Sequence, residues 1–327
     1  HLEHQAKEDA DAQRLDEGAI TALIDLAERY LPYRPFSGKA IRLLESTLAV
    51  GTRARGADGK RPEITADQVL DAFSLDSGIP TFLLREDRAL YRAQVIERFR
   101  ERLVGQTEAI ERVVDTVCVV KAGLQPTGKP LATFLFIGPT GVGKTELARG
   151  LAEFLFGSAE RLVRFDMSEY ADPLAAERLI RGNAGADGLL TRQIRQQPFS
   201  VLLLDEIEKA NPSVFDLLLQ VAGEGRLTDA KGRTTYFHNT IIVLTSNLGA
   251  AHQHRPIGIG APESVSDDYY LRAVDKAFRP EFVNRLDRII VFSSLSREEV
   301  RSVGDIAVRR LSRRRGFTEN ATALTVD

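Results

Sequence analysis

A glycine-rich segment that ends in a lysine and a threonine carries the clearest chemical signal in the sequence. Residues 138–145 read GPTGVGKT and fit the phosphate-loop pattern G-x-x-x-x-G-K-[ST]. The glycines let the backbone curl so that successive N–H groups point at phosphate oxygens. Lys144 can then reach the β- and γ-phosphates of a nucleoside triphosphate, and the Thr145 hydroxyl can ligate Mg²⁺. The predicted phosphate contacts are Pro139, Thr140, Gly141, Val142, Gly143, Lys144 and Thr145.

The segments on either side of this loop have the composition that phosphate binding requires. Residues 133–137 form a β-branched and aromatic run, which is typical of a buried parallel strand. Residues 146–155 have the apolar spacing of a helix with one buried face. The helix N-terminus would add its partial positive charge to the phosphate site.

Two carboxylates and an amide follow two further apolar runs. Asp205 and Glu206 end the run at 201–204, and Asn247 follows the run at 240–245. Because ligands of open α/β sheets bind beyond the carboxyl ends of the strands, we expect Asp205 to hold Mg²⁺, directly or through water. Glu206 would orient and deprotonate the attacking water, and Asn247 would hydrogen-bond the γ-phosphate or that water. An acidic helix start and ordinary turn chemistry are the alternatives for these residues.

Composition narrows the classes of protein to which the chain can belong. Its 327 residues leave room for about two domains, and the net charge of −2 does not favour nucleic acid or membrane partners. No apolar run approaches the roughly 20 residues of a membrane span. The single cysteine, Cys118, excludes an intrachain disulfide, and we expect a cytoplasmic protein. The sequence starts at His1 rather than Met, so we expect a piece of a longer polypeptide.

The order of predicted elements indicates an α/β fold: a parallel sheet flanked by helices and preceded by a small helical domain. Three helices fill roughly the first 75 residues, and a charged helix is predicted over 85–102. Downstream, strands and helices alternate as βαβ units require, with strands at 162–166, 201–204, 240–245 and 288–292.

Several motifs together resemble the second ATPase domain of the Clp unfoldases and disaggregases (ClpA, ClpB, ClpC) of the AAA+ superfamily. The resemblance covers about 85–292, and residues 38–41 with their neighbouring helices resemble the lid of a preceding ATPase module. The motifs are the 138–145 loop, Val104-Gly105-Gln106, Phe165-Asp166-Met167-Ser168-Glu169-Tyr170, Leu202 to Ala210, Gly225-Arg226-Leu227-Thr228-Asp229, Leu244-Thr245-Ser246-Asn247-Leu248-Gly249 and Phe278-Arg279-Pro280-Glu281-Phe282.

The resemblance implies a hexameric ring of identical chains that binds ATP between subunits and acts on protein substrates. It implies a lid of a preceding module at 1–75, a charged connecting helix at 76–102, a large ATPase domain at 103–292 and an incomplete lid at 293–327. It also implies roles for single residues: Val104 and Gly105 in the adenine pocket, Lys144 and Thr145 on phosphate and Mg²⁺, Asp205 and Glu206 as the Walker B pair, Asn247 as the first sensor, and Arg285 as the arginine finger that reaches a neighbour's nucleotide.

The sequence departs from the Clp pattern in three places. The segment at 179–189 is shorter than the family's substrate-gripping loop and has no aromatic residue. The chain ends before a second-sensor motif could appear. Residues 51–62 are too few for a coiled-coil insertion, which favours a ClpA-like or ClpC-like layout. In that layout Ile257, Gly258 and Ile259 lie where a peptidase would dock.

Three functions remain open on these grounds. The leading one is ATP-driven unfolding or remodelling of proteins by a hexamer that can feed a peptidase. The alternative is an ATP-gated assembly or switch protein that hydrolyses ATP without threading substrate, because the gripping aromatic is missing. A nucleic-acid motor has the least support, since no basic stripe with stacking residues is present.

Overall fold

The computed structural model describes residues 15–30, 36–51, 63–85, 89–180, 188–229, 231–249 and 267–312. The chain divides into two compact units. The first comprises residues 1–89 with 154–158, and the second comprises 90–153 with 159–327. Within the described ranges, no helix combines the length and the apolar character needed to cross a membrane. The four-part domain division drawn from the sequence remains a prediction.

The first unit is helical, as predicted. Its last long helix begins at Thr65, whose backbone N–H donates to the Gln68 side chain at 3.0 Å in a capping box. That helix buries Val69 and Phe73, and the Phe73 ring lies 5.5 Å from the Tyr30 ring. The helices of this unit are Glu17–Tyr30, Phe36–Gly51, Ala66–Ser77 and the single turn Thr81–Leu84.

The charged helix predicted over 85–102 is wrong as one continuous element. The structure has a short turn, Thr81–Leu84, and a separate helix, Arg92–Arg100. Arg85 takes an extended conformation with φ −84° and ψ 115°, and its guanidinium lies 2.8 Å from the Asp67 carboxylate. The Arg85 side chain thus pairs with an earlier helix, and the next helix begins only at Arg92.

The second unit is built on a five-stranded, all-parallel sheet with strand order β2-β3-β6-β1-β7, which confirms the predicted fold class. Strands β1, β3 and β6 occupy the centre and are almost entirely buried, which explains their unbroken apolar sequences. The strands are β1 Ala132–Ile137, β2 Leu162–Asp166, β3 Ser200–Asp205, β4 Arg226–Thr228, β5 Thr234–Tyr236, β6 Thr240–Ser246 and β7 Arg288–Val291.

Helices connect these strands and cover the sheet. The helix after β3 begins at Asn211, whose side chain accepts from the Ser213 backbone N–H at 3.1 Å, and Pro212 occupies its first turn. The longer helices of this unit are Arg92–Arg100, Thr107–Lys121, Lys144–Phe156 (whose last three residues are counted with the first unit), Leu189–Gln196, Pro212–Glu224, Asp267–Ala277 and Arg297–Ser312, and the shorter ones are Ala175–Ile180 and Pro280–Val283.

A two-stranded hairpin, β4–β5, was not predicted from the sequence. The two strands pair antiparallel, and each has only three residues. Asp229 holds the turn, because its Oδ1 accepts from the backbone N–H groups of Lys231 and Arg233, both at 2.9 Å. The Arg195 guanidinium lies 3.3 Å from the other oxygen of the same buried carboxylate.

Candidate functional site

The loop after β1 has a curled backbone that requires glycine. Gly143 has φ +105°, and a Cβ atom there would lie 2.3 Å from Leu103 Cδ1. Gly138 has φ +150°, and a Cβ atom there would lie 2.4 Å from the Phe292 carbonyl oxygen. Any larger residue would displace these neighbours as well as strain the loop.

Lys144 is folded back onto its own loop and across to β6. Its Nζ donates to the Pro139 carbonyl at 2.9 Å, to Asn247 Oδ1 at 2.8 Å and also to the Gly138 carbonyl. Burial lowers the pKa of Lys144 to about 8, although the carboxylates of Glu208, Asp205 and Glu206 act in the opposite direction. Lys144 therefore loses its proton, and with it its positive charge, at a lower pH than an exposed lysine does.

Asp205 and Glu206 lie at the carboxyl end of β3, as predicted. The Asp205 carboxylate accepts from the Thr245 hydroxyl, and its other oxygen lies 2.6 Å from Arg164 Nη2. Glu206 has φ 55° and ψ 52°, a left-handed conformation that is uncommon for a residue with a side chain. Its backbone N–H donates to Thr245 Oγ1 at 3.1 Å.

Asn247 joins the phosphate loop to the carboxylate pair. Its Oδ1 accepts from Lys144 Nζ at 2.8 Å, and its Nδ2 donates to Glu206 Oε1 at 3.1 Å. The second oxygen of Glu206 lies 2.5 Å from Lys209 Nζ. Because β1, β6 and β3 are neighbours in the sheet, their carboxyl ends bring Lys144, Asn247 and Glu206 together.

The sequence reasoning missed four polar residues of this cluster: Arg164, Glu208, Lys209 and Thr245 as a hydrogen-bonding group. Glu208 follows Asp205 by three residues, and its Oε1 accepts from the Asn247 backbone N–H at 3.0 Å. The dense run of charged residues at 205–209 could have indicated that Glu208 and Lys209 belong to the site. No local signal marks Arg164, which is a neighbour of β3 only because β2 pairs with it.

An apolar cavity of about 510 Å³ opens beside the loop. Val104, predicted for the adenine pocket, lines this cavity, whereas Gly105 is not among its lining residues and has φ +76° in an adjoining turn. The loop residues Gly141, Val142 and Gly143, predicted to contact phosphate, also line the cavity. The sequence reasoning missed the rest of its wall, which comprises Leu103, Leu295, Val303, Ile306 and Ala307 together with Arg102 and Glu146. An apolar pocket with a few polar groups next to a phosphate loop suits a nucleoside base.

The donor set fits a magnesium ion held jointly with a nucleotide. Where side chains are described, no group of three or more His, Cys, Asp or Glu could hold a metal ion on its own. Mg²⁺ is usually bound by one or two protein oxygens, substrate phosphates and waters. Thr145, half-buried at the start of the helix after the loop, and Asp205 at the end of β3 would supply such oxygens.

Arg285 is exposed and lies against the helix Pro212–Glu224. A Cβ atom at Gly223 would lie 2.7 Å from Arg285 Nη1, so the guanidinium rests where that helix has no side chain. Within the described ranges the Arg285 guanidinium forms no hydrogen bond or ion pair. The predicted docking residues Ile257, Gly258 and Ile259, and most of the predicted gripping segment, lie outside the described residues.

Comparison with known proteins finds AAA+ proteins that are similar to this chain. A profile described as "AAA domain (Cdc48 subfamily)" matches residues 129–289. The ClpB chaperone of Meiothermus ruber is 40% identical over 314 residues, which are 93% of this chain and 36% of that protein. ClpB of Corynebacterium glutamicum is 44% identical over 257 residues, which are 77% of this chain and 29% of that protein.

Solved structures of Hsp104 from S. cerevisiae are also similar. Its ADP complex is 33% identical with a TM-score of 0.77 and covers 96% of this chain and 54% of that one. Its casein complex in an extended conformation is 32% identical with a TM-score of 0.75 and covers 93% of this chain and 52% of that one. The chain therefore spans about a third of the curated relatives and about half of the Hsp104 chains. The sheet order, the phosphate loop and these matches show that the chain belongs to the Clp family of AAA+ ATPases.

Proposed function

We propose that the chain binds ATP with Mg²⁺ on the 138–145 loop and hydrolyses it to drive the remodelling of protein substrates. One observation carries this proposal: the Asn247 amide bonds Lys144 at 2.8 Å and Glu206 at 3.1 Å at once. A phosphate-binding cation and a candidate general base thus share one hydrogen-bonded side chain. Through this side chain, triphosphate binding would be coupled to activation of water.

The chemistry assigned to the residues follows from their positions. The loop N–H groups and Lys144 bind the β- and γ-phosphates, after Lys144 releases the loop carbonyls that it now bonds. The Glu206 carboxylate takes a proton from a water as that water's oxygen bonds to the γ-phosphorus. The bond from the γ-phosphorus to the bridging oxygen breaks, and ADP leaves with the electron pair. Mg²⁺ would neutralise charge on the phosphate oxygens, held by Thr145 and Asp205.

The assembly is proposed as a ring of six identical chains in which Arg285 reaches a neighbour's nucleotide. Support comes from the family and from the exposed guanidinium of Arg285, which no group in the described part of the chain bonds. A finger supplied by a neighbour is worth about 10³–10⁵ in rate, so hydrolysis would depend on assembly. Protein substrates are proposed because the related Hsp104 is solved with casein. The cytoplasmic location, expected from the single cysteine, stays a prediction.

A second candidate function is an ATP-gated switch that hydrolyses ATP without threading polypeptide. The observation that favours it is the absence of any aromatic residue at 179–189. A peptidase partner at Ile257, Gly258 and Ile259 is a separate proposal, tested by deleting these three residues. The deletion should remove co-purification with a peptidase and spare hydrolysis, and retained association would eliminate the docking site.

The site assignment is tested with variants in the full-length assembled protein. Lys144→Ala should abolish nucleotide binding, whereas Glu206→Gln should bind ATP and fail to hydrolyse it. Arg285→Ala should also bind ATP but hydrolyse it slowly. Asp275→Asn, at an exposed carboxylate on the helix Asp267–Ala277, is the matched control and should behave as the unaltered protein. Normal turnover by the Glu206 variant would exclude its role as the base.

Substrate stimulation separates the two functions. An unfolded protein such as casein should increase ATP hydrolysis if the chain remodels proteins. A switch protein should hydrolyse ATP at the same rate with and without casein. Stimulation by single-stranded DNA instead would contradict both candidates.

A further inference from the structure

Glu208 is a half-buried carboxylate that has no role in the chemistry described above. It lies in the short 3₁₀ turn Ile207–Lys209 that directly follows β3 and Glu206. Its Oε1 accepts from the backbone N–H of Asn247 at 3.0 Å. Its Oε2 is buried, and no hydrogen-bonding group of the described residues reaches it. A buried carboxylate oxygen without a partner is costly, and such groups in native proteins call for an explanation.

The turn that carries Glu208 is firmly held. Ile207 is fully buried, and the turn is closed by hydrogen bonds from the Lys209 N–H to the Glu206 carbonyl at 2.9 Å and from the Ala210 N–H to the Ile207 carbonyl at 3.1 Å. Glu208 therefore extends from a fixed backbone. A side chain on such a support can hold another group in place at little entropic cost.

The group that Glu208 holds is the residue that links the two halves of the site. Asn247 comes directly after the last residue of β6, where the strand ladder no longer fixes the backbone. Its side chain must keep two hydrogen bonds, one from Lys144 and one to Glu206. Rotation of the Asn247 backbone would move the amide and break both bonds, since its oxygen and its nitrogen each hold one of them.

We propose that Glu208 is a positioning residue for ATP hydrolysis: its carboxylate fixes the Asn247 backbone so that the Asn247 amide holds Glu206 and Lys144 in register. Glu208 touches neither ATP nor the attacking water in this role. The inference rests on the proposed function, because it concerns the same site and the same reaction. Glu206 and Glu208, two residues apart, would thus hold the side chain and the backbone of one asparagine.

The decisive experiment compares Glu208→Ala with Glu208→Gln in the full-length assembled protein. Glutamine keeps an oxygen that accepts from the Asn247 N–H but loses the charge, whereas alanine removes the acceptor. Small displacements of catalytic groups can cost up to about 10²-fold, so Glu208→Ala should lower kcat roughly tenfold or more. KM for ATP and the dissociation constant of a fluorescent ATP analogue should change less than about twofold. Glu208→Gln should restore most of kcat.

A double-mutant cycle with Asn247→Ala tests the route through Asn247. Once Asn247 has lost its amide, Glu208→Ala should have no further effect on kcat, because the two residues act as one unit. Additive losses would overturn the proposal. Thermal melting of each variant and the Asp275→Ala control report on the fold. If Glu208→Ala does not fold, Glu208→Met keeps the side-chain volume without an acceptor and takes its place.

Each remaining outcome is also decisive. Unchanged kcat in Glu208→Ala overturns the inference, and so does a Gln variant as slow as the Ala variant, since charge would then matter rather than the hydrogen bond. If Glu208→Ala weakens nucleotide binding and lowers the melting temperature together with kcat, Glu208 has a structural role only, and the inference is overturned. Failure of the proposed function itself looks different: the unaltered protein would then hydrolyse no more ATP than Lys144→Ala.

Discussion

Raising the pH should weaken nucleotide binding, because Lys144 then loses its proton and its positive charge in the nucleotide-free protein. Burial lowers the pKa of Lys144 to about 8 in the free protein. The neutral amine cannot neutralise phosphate oxygens, so the apparent affinity falls with the fraction of protein that is still protonated. That fraction is roughly three quarters at pH 7.5 and roughly one tenth at pH 9, so the dissociation constant should rise about eightfold.

The assay is titration of a fluorescent ATP analogue with Mg²⁺ at several pH values and constant ionic strength. ATP itself is fully ionised in most of this range, so the protein supplies the titrating group. Lys144→Met is the control: any residual binding that it retains should not vary with pH. An affinity of the unaltered protein that stays flat from about pH 7.5 to about pH 9 would refute the reasoning.

The same lowered pKa has an opposite effect on the stability of the free protein. In the unfolded chain the pKa of Lys144 is near its ordinary value of 10.5, and in the folded chain it is about 8. Between these values the unfolded state binds one more proton, so the free energy of unfolding rises with pH in this window. Below the folded pKa the full cost of the buried charge is present. Nucleotide binding and stability should therefore move in opposite directions as the solution becomes alkaline.

Three further predictions concern single residues. Gly143→Ala places a Cβ 2.3 Å from Leu103 at φ +105°, and it should abolish binding of the ATP analogue while circular dichroism shows a folded chain. Gly223→Ala places a Cβ 2.7 Å from Arg285 Nη1, and it should lower kcat without changing nucleotide affinity. Asp229→Ala leaves two backbone N–H groups and nearby guanidinium groups without their carboxylate, and it should cost roughly 3 kcal/mol in chemical denaturation.

The outcomes that would contradict these predictions are distinct. Normal nucleotide affinity in Gly143→Ala would mean that the loop does not cradle phosphate. Unchanged kcat in Gly223→Ala, together with slow hydrolysis by Arg285→Ala, would mean that the finger does not depend on its place against the helix. A change below about 1 kcal/mol in Asp229→Ala would mean that the hairpin turn is held by its backbone alone.

The fold and the centre of the site could be predicted because their signals are local. The three central strands are unbroken apolar runs, and the residues of the phosphate loop follow one another in the chain. Their meeting then follows from a simple rule, that the carboxyl ends of parallel strands lie at one edge. Lys144, Glu206 and Asn247 come from three different strands and still converge, as expected.

The remaining features depend on contacts that no short stretch of sequence encodes. Arg164 reaches Asp205 only because β2 is the neighbour of β3. The helix predicted over 85–102 begins only at Arg92, while Arg85 is extended and pairs with Asp67, eighteen positions back in the sequence. The wall of the base cavity comes partly from the helix Arg297–Ser312, more than 150 positions after the phosphate loop. In each case a contact between residues far apart in the sequence accompanies a feature that the local sequence preference does not indicate.

The left-handed backbone conformation of Glu206 limits which residues can replace it at this position. That conformation costs a residue with a side chain about 1–2 kcal/mol, and glycine adopts it freely. Selection for thermal stability alone would favour glycine at this position. Such a variant would lack the carboxylate that we propose as the general base. The proposed need for a general base in ATP hydrolysis would therefore keep glutamate at this position despite its strained backbone.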